Sequence, residues 1–273
     1  LAPAEQTLFR RLSLFAGGCT LEGAEAVCDT CEDLGVDLLD GIAALVDSSL
    51  LAQRVSDDAE PRFVMLETFR EFGRERLIES GEMAATARSH AAYMLVLAEE
   101  ETLEMNPSQR EAWLRGCDVE HDNFRAAIAH LVSAGHDEGA LRLAGALFRF
   151  WEQRDHLTEG RETLATVLAM PGAEAPSRPR ARALYAATVL ADIQGDLDMA
   201  EVLSHEACGI YRQFDDVGGV AATMTAMAWQ AQRQGRYAEA TARFRETVSL
   251  WEELGERTFN GGFGSAFTAS AEI

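Results

Sequence analysis

Two short clusters in this chain carry residue types that could do chemistry. The first is Cys28-Asp-Thr-Cys31, whose spacing is typical of a redox pair or of half a zinc site. A structural zinc ion needs four ligands, yet the only nearby cysteine is Cys19 and the first histidine is His90. A redox pair would be expected in a strand-helix-strand unit, which this region lacks. We therefore expect reduced thiols that serve packing, with metal or redox chemistry as the alternative.

The second cluster is His121-Asp122-Asn123, which could indicate catalysis or metal binding. Its apolar neighbours Phe124 and Ile128 place it on an amphipathic helix, and no second pair of ligands matches it. A structural polar network is therefore the favoured interpretation.

Three consecutive carboxylates and the absence of lysine complete the search for chemistry. Glu99, Glu100 and Glu101 point around a helix rather than converge, so they are expected on a solvated face. All 24 basic residues are arginine, which excludes Schiff-base chemistry and any lysine-dependent phosphate loop within these residues. We predict no catalytic residue, no cofactor and no metal site, and hence no enzyme activity of this chain.

Length and charge limit the classes of partner. The 273 residues are 47% hydrophobic, and 45 acidic against 24 basic side chains give a formal net charge of −21, which disfavours nucleic acid and anionic membranes. No apolar run reaches the length of about 18 residues that a transmembrane helix requires, and no signal peptide is present. We therefore expect a cytoplasmic protein without a membrane span. The first residue is Leu1 rather than Met, which suggests a piece of something longer.

The elements that must position these residues begin with a winged-helix plan. Thr20 is a predicted N-cap, and Gly17-Gly18 separates the first two helices. A turn rich in Asp and ending in Pro61 is expected between two short strands. The predicted order is helices over 5–16, 21–28 and about 37–47, strands over 50–55 and 62–66, and a helix over 67–79.

A winged helix usually binds DNA, but the charge of this one disfavours that function. Residues 1–80 hold 16 acidic side chains and 7 Arg, a net charge of −9. Reading the major groove requires cations for phosphates and donors for base edges. The third helix and the wing offer carboxylates instead, namely Asp37, Asp40 and Asp47 on the helix and Asp57, Asp58 and Glu60 on the wing. We expect no direct nucleic-acid binding, with a DNA-binding winged-helix transcription factor fragment as the alternative.

The second half of the chain repeats itself with a period of about 40 residues. Gln194-Gly195 followed by Ala200 returns as Gln234-Gly235 followed by Ala240. A further step back gives a degenerate copy, with Asp155 at the glycine position, Leu157 at the Leu197 position and Gly160 at the Ala200 position. Such a period is typical of helix pairs stacked into a solenoid, which present surfaces to partners.

The predicted fold is mainly α, a winged-helix domain with a small β-hairpin followed by a tetratricopeptide-like α-solenoid of antiparallel helix pairs. The expected domains are 1–82, a helical region with a degenerate repeat over 83–176, and repeats over 177–273. The predicted partner-binding groove lies on the first helix of each pair and comprises Tyr185, Val189, Asp192, Thr225, Trp229 and Gln232. For Trp229, packing in the core is the alternative.

Several ordered blocks resemble one protein family. They are Leu12-Ser-Leu-Phe-Ala-Gly-Gly-Cys-Thr-Leu-Glu-Gly-Ala-Glu-Ala-Val-Cys28, Ala43-Ala-Leu-Val-Asp-Ser-Ser-Leu50, Met65-Leu-Glu-Thr-Phe-Arg-Glu-Phe72, Glu120-His-Asp-Asn-Phe-Arg-Ala-Ala127 and Leu141-Arg-Leu-Ala-Gly-Ala-Leu147. Together they resemble the region after the nucleotide-binding domain in bacterial STAND-type ATPase transcriptional regulators, often of the LuxR or AfsR type. The resemblance covers roughly residues 6–255.

The resemblance implies a regulatory arm rather than a catalytic unit. In such regulators an ATPase core precedes the winged helix and the helical array, and a separate domain usually contacts DNA. No Gly-x4-Gly-Lys-Ser/Thr loop is present, so ATP binding would belong to an upstream region. Some relatives sense nucleotide with a winged-helix histidine, but the first histidine here is His90, so that role cannot be assigned. The implied partners are the protein's own upstream ATPase domain and a protein or small effector on the array.

Overall fold

The computed structural model of the protein describes residues 1–29, 34–56, 59–101 and 105–253. The chain divides into two compact units. Unit 1 comprises Leu1–Leu97 and Asp118–Ser133, and unit 2 comprises Ala98–Cys117 and the residues from Ala134 onward. In the described part of the chain, no helix is both long and apolar enough to cross a membrane.

The first elements along the chain form the winged helix. They are helices α1 (Pro3–Leu12), α2 (Leu21–Cys28) and α3 (Leu38–Asp47), strands β1 (Ala52–Ser56) and β2 (Ala59–Val64), and helix α4 (Glu67–Glu79). Two longer helices, α5 (Met83–Glu99) and α6 (Pro107–Ser133), follow the winged helix. Leu8, Phe9 and Leu12 of α1 are buried with Ile42 and Leu45 of α3 in one apolar core. The predicted order of three helices, a hairpin and a fourth helix is confirmed.

Side-chain caps fix the starts of α2 and α3. The hydroxyl of Thr20 accepts a hydrogen bond from the backbone N–H of Gly23 at 3.1 Å. The carboxylate of Asp37 accepts from the N–H groups of Leu39 and Asp40 at 2.9 and 3.3 Å. Both caps satisfy donors that have no partner within the helix, so these boundaries follow from local chemistry.

The hairpin differs from its predicted bounds. Strand β2 begins at Ala59, so Pro61 lies within a strand rather than in the turn. The pairing of β1 and β2 is irregular between Arg54 and Ser56, opposite the proline, where a residue without an N–H breaks no ladder bond. Outside the hairpin, Cys19 pairs with Phe63 through two backbone hydrogen bonds of 3.0 and 2.8 Å. This link, which the sequence pattern did not predict, connects the loop after α1 to the wing.

The helices of unit 2 follow the repeat register. They are α7 (Asp137–Ala146), α8 (Phe148–Gln153), α9 (Leu157–Leu168), α10 (Arg178–Ile193), α11 (Leu197–Gln213), α12 (Val217–Arg233) and α13 (Tyr237–Glu253). Helices α8, α10 and α12 end at equivalent positions of successive repeats, and α9, α11 and α13 begin at equivalent positions. The antiparallel pairs are therefore α7–α8 with α9, α10 with α11, and α12 with α13, and the degenerate third copy is confirmed as a helix pair.

The turn between the helices of each pair has the same backbone geometry. Gly195 and Gly235 have φ of 79° and 76°, and Asp155 keeps a φ of 60° where the glycine is missing. In each copy the next N–H donates to a carbonyl five residues back, for example His156 to Trp151 at 2.9 Å and Asp196 to Ala191 at 2.9 Å. This is the pattern of a Schellman C-cap, which requires a left-handed residue and accepts Asp with some strain.

The first copy differs from the others by an exchange of large and small residues. Trp151 occupies the position of Ala191, and Gly160 occupies the position of Ala200. A Cβ atom on Gly160 would lie 2.8 Å from the Trp151 ring and 2.6 Å from Leu190 Cδ1. The glycine is therefore required because the tryptophan fills the space that a methyl group takes in the other copies.

The segment between α9 and α10 is short and partly ordered by its own turns. It contains a 3-10 turn over Pro171–Ala173, and α10 begins at Arg178. The hydroxyl of Ser177 accepts from the N–H of Arg180 at 3.2 Å and caps the helix. Pro179 fits within the first turn because its missing N–H would have no helical partner there.

Candidate interaction surface

The six predicted groove residues lie on two neighbouring helices of unit 2. Tyr185, Val189 and Asp192 are on α10, and Thr225, Trp229 and Gln232 are at the equivalent positions of α12. We call these six residues the α10–α12 face. Five of them are half-buried and Asp192 is buried, so the face is partly covered by its own neighbours.

Asp192 links the two helices of this face. Its carboxylate pairs with the guanidinium of Arg233 at 2.9 Å, and the same guanidinium donates to the Asp192 backbone carbonyl at 3.0 Å. Burial raises the pKa of Asp192 and the charge of Arg233 opposes that shift. The second carboxylate oxygen is buried without a hydrogen-bond partner among the described residues. Arg233 therefore holds α12 against the end of α10.

Tyr185 continues the face toward the first copy. Its ring packs edge-on against Phe148 with centroids 5.7 Å apart. The guanidinium of Arg149 lies 4.8 Å from the centroid of that same Phe148 ring and pairs with Glu152 at 2.9 Å. Burial raises the pKa of Tyr185 and nearby Arg149 partly opposes the shift. The hydroxyl stays protonated near neutral pH, so it can hydrogen-bond a ligand but cannot serve as a base.

The α12 part of the face is tied to the core beneath it. Trp229 packs edge-on against buried Phe244 with centroids 5.1 Å apart, so part of its ring belongs to the core. The Thr225 hydroxyl donates to the carbonyl of Ala221 at 2.8 Å. The Gln232 side-chain oxygen is buried without a hydrogen-bond partner among the described residues. The face thus combines aromatic surface, amide and hydroxyl groups, and a neutralised ion pair, a set suited to binding rather than to bond cleavage.

Three charged residues that the sequence pattern did not indicate belong with this face. Arg149 and Glu152 stand one repeat before Val189 and Asp192, and Arg233 directly follows Gln232. The register itself could have located the first two, had it been extended into the degenerate copy.

Unit 1 presents the surface that a winged helix would use on DNA. The exposed residues of α3 include Leu39, Asp40, Ala43 and Asp47, and Leu39 is 56% exposed. No residue of α3 is basic. Residues 57 and 58 of the wing, and the side chain of Glu60, lie outside the described part of the chain, so the structure bears only on the helix. The face of α3 that would enter the major groove offers acceptors and apolar groups.

Arg62 of the wing is used internally. Its guanidinium pairs with Glu120 and donates to the carbonyl of Gly18 at 2.9 Å. Glu120 also accepts from the amide of Asn123 at 2.6 Å. The Asn123 side-chain oxygen accepts from the N–H groups of residues 16 and 17 at 2.8 and 3.3 Å, and its amide also donates to the carbonyl of residue 18 at 3.0 Å. Asn123 therefore holds the loop between α1 and α2, as the structural interpretation of this cluster predicts.

The other chemistry-bearing residues are placed in structural roles where they are described. Cys19 and Cys28 are buried, and burial raises the pKa of Cys19 to about 12 and that of Cys28 well above its ordinary value. Buried neutral thiols are poor nucleophiles and poor ligands. Cys31, the second half of the predicted pair, lies outside the described residues. Glu99 pairs with Arg142 at 2.7 Å, so this carboxylate does not join a cluster with its neighbours.

Comparisons with known proteins give matches to part of the chain. A candidate HTH-type transcriptional regulator of Mycobacterium bovis is 37% identical over 170 residues, covering 62% of this chain and 19% of that protein, and one of Mycobacterium tuberculosis matches equally. The chain thus spans about a fifth of the length of these relatives. An uncharacterized protein of Mycobacterium bovis is 33% identical over 95 residues, covering 34% of this chain and 24% of its own length.

A solved structure and a family model also match this chain. The structure is a Pyrococcus horikoshii signal-transduction ATPase with numerous domains (STAND) and a tetratricopeptide repeat sensor, with a TM-score of 0.39 and 12% identity over 94% of this chain and 46% of that one. A TM-score this low transfers no function. The model of the winged helix-turn-helix domain matches residues 1–78. These residues coincide with α1 through α4, and they form a winged helix-turn-helix domain.

Proposed function

We propose that this chain is the regulatory interaction arm of a transcription regulator, and that its winged helix docks on protein rather than on DNA. The observation that carries this is the exposed face of α3, which presents Asp40 and Asp47 beside apolar Leu39 and Ala43. A helix of this composition repels phosphate and has no donor long enough to reach base edges. The mycobacterial relatives are named as candidate HTH-type transcriptional regulators, which supports the broader assignment to transcription regulation.

The finer proposal is that the arm belongs to a STAND-type ATPase of the LuxR or AfsR type. It rests on the ordered blocks of sequence from Leu12 to Leu147 that resemble such regulators. In this proposal the ATPase domain lies outside these residues, and the helical array binds a protein or small effector through the α10–α12 face. The chain itself contributes neither a catalytic residue nor a cofactor.

The DNA-binding alternative is tested by retention of a labelled duplex on this chain between about 50 and 200 mM salt. We expect no salt-sensitive retention by the native chain. The double variant Asp40→Arg/Asp47→Arg is the matched control, because it reverses the charge of the exposed face without touching the core. Retention by the variant alone supports the role of charge, whereas specific binding by the native chain at the higher salt rejects the proposal.

Coupling to an ATPase is tested in the full-length protein. Deleting residues 83–273 should change the rate of ATP hydrolysis if the array regulates the core, and an unchanged rate would contradict the coupling. A point variant then locates the surface. Val189→Arg is expected to alter the response to effector-containing extract, while Val202→Arg, at a 64% exposed position of α11, should leave it unchanged.

A further inference from the structure

Two seams join the three helix pairs of unit 2. At the first seam α10 packs against α7, α8 and α9, and at the second seam α12 packs against α10 and α11. Because each pair contacts only its neighbours, the stability of such an array depends on each seam separately. The repeat allows equivalent positions of the two seams to be compared without any other protein.

Both seams keep an ion pair at the same positions, with opposite polarity. Arg161 of α9 pairs with Asp196 at 2.5 Å in the first seam. One repeat later, Glu201 of α11 pairs with Arg236 at 3.0 Å in the second seam. Both rims therefore keep this ion pair, and the second seam adds the pair of Asp192 with Arg233, so the rims give no reason for the second seam to be the weaker one.

The interiors differ at two fully buried positions. Leu164 and Leu190 occupy them in the first seam, whereas Ser204 and Gln230 occupy them in the second. The Ser204 hydroxyl donates to the carbonyl of Glu201 at 2.9 Å and lies 3.4 Å from the Gln230 side-chain oxygen, at the long end of a hydrogen bond. The Gln230 amide nitrogen is buried and has no hydrogen-bond partner among the described residues. An unsatisfied buried amide destabilises the closed state, since it would be solvated if the seam opened.

We propose that helices α12 and α13 separate from the rest of the array as one unit at the second seam, and that the Ser204–Gln230 pair sets how often they do so. Opening at this seam solvates the Gln230 amide and leaves the α12–α13 pair packed within itself. The ion pairs of Asp192 with Arg233 and of Glu201 with Arg236 must break in the same event. The first seam, with leucine at both positions, stays closed under the same conditions.

This opening has a consequence for binding that rests on the proposed function. A partner that contacts both Asp192 on α10 and Gln232 on α12 can bind only while the second seam is closed. Such a partner would therefore slow the opening by mass action. The opening itself is a property of the free chain, so it can be tested without any partner.

The test is hydrogen exchange of the 273-residue chain, followed by mass spectrometry of peptides from α10–α11 and from α12–α13. The amides of α12–α13 are expected to exchange together and faster than those of α10–α11. The variant Ser204→Ala/Gln230→Met keeps the volumes and removes both polar groups, and it should slow exchange of α12–α13 by about tenfold, a factor worth about 1.4 kcal/mol. The variant Gln230→Glu keeps the native shape but buries a charge, so it should accelerate the exchange of α12–α13.

A reciprocal variant separates the seam from simple fraying of the last helices. Leu190→Gln places an amide in the first seam, so α10–α13 should then open together and α10–α11 should exchange faster. If the polar-to-apolar variant leaves exchange of α12–α13 unchanged while the chain stays folded, the proposal is wrong. If the native chain shows no effector response while α12–α13 exchange as expected, the proposed function is wrong, but the opening of the second seam is supported.

Discussion

The sharpest stability prediction concerns Asn123→Ala, which removes the side chain that holds the loop between α1 and α2. Asn123 is fully buried, and its oxygen accepts from the N–H groups of Ala16 and Gly17, which are 107 and 106 residues away along the chain. Truncation leaves both N–H groups without their acceptor. The carbonyl of Gly18 loses one donor but keeps the guanidinium of Arg62 at 2.9 Å.

The magnitude follows from those two orphaned donors. Each unsatisfied buried donor costs about 1–3 kcal/mol. Ala16 and Gly17 are only half-buried, so water can reach them in part and the lower end of that range applies to each. We expect a loss of about 2 kcal/mol in the free energy of opening of unit 1, which is roughly a thirtyfold faster hydrogen exchange of residues 8–28.

The assay is hydrogen exchange mass spectrometry of that segment, since all four tryptophans of the chain lie in unit 2 and would not report on unit 1. The control is Asp122→Ala, because the neighbouring Asp122 carboxylate is 65% exposed and lies 3.8 Å from Arg125. Such an exposed pair contributes little. An effect of Asn123→Ala no larger than that of the control would show that water replaces the amide, and would refute this account of the loop.

Three further predictions test the repeats and the buried histidine. Gly160→Ala should lower the free energy of unfolding by about 1–3 kcal/mol, because the added methyl group would overlap Trp151 and Leu190. Thermal unfolding measures this loss. Asp155→Gly should stabilise the chain by about 0.5–1 kcal/mol in the same assay, since φ is 60° there. Desolvation lowers the pKa of His90 from 6.5 to about 4. As pH falls between these two values the unfolded chain binds a proton that the folded chain does not, so the free energy of unfolding should drop by about 1.4 kcal/mol per pH unit. In the variant His90→Leu, the hydrogen exchange rate of unit 1 should depend less on pH in this range, after correction for intrinsic exchange.

The parts of the fold that could be predicted are those set by local chemistry or by repetition. The caps at Thr20 and Asp37 fix helix starts through hydrogen bonds to backbone groups two or three positions ahead, so the sequence contains the whole determinant. The repeat register predicted helix pairs at a fixed spacing, and α11 and α13 begin at equivalent positions because a left-handed residue follows the preceding helix in each copy. The acidic face of α3 was likewise predictable, since it depends only on which residues are charged.

The parts that could not be predicted depend on contacts between distant segments. The pairing of Cys19 with Phe63 is a single bridge, too short to leave an alternating pattern. The bonds of Asn123 to the α1–α2 loop join segments more than a hundred residues apart, so the sequence indicated a polar network without its partners. For the α10–α12 face, the repeat register locates Arg149 one copy before Val189, but its stacking on the Phe148 ring beside Tyr185 depends on packing between helices.

The copies of the array have diverged by paired exchanges. The ion pair of Arg161 with Asp196 returns one repeat later with its charges swapped, and the bulk of Trp151 is balanced by the missing side chain of Gly160. Each exchange changes both residues of a contact and keeps the contact itself. When the copies are aligned residue by residue, the first copy therefore matches the others poorly, although its backbone follows the same pattern. The second seam departs from this rule, because Ser204 and Gln230 replace an apolar pair and the Gln230 amide nitrogen has no hydrogen-bond partner among the described residues. These two residues keep the backbone register, but the unpaired donor destabilises the closed state of the second seam alone. The seam between α11 and α12 is therefore expected to be the less stable of the two.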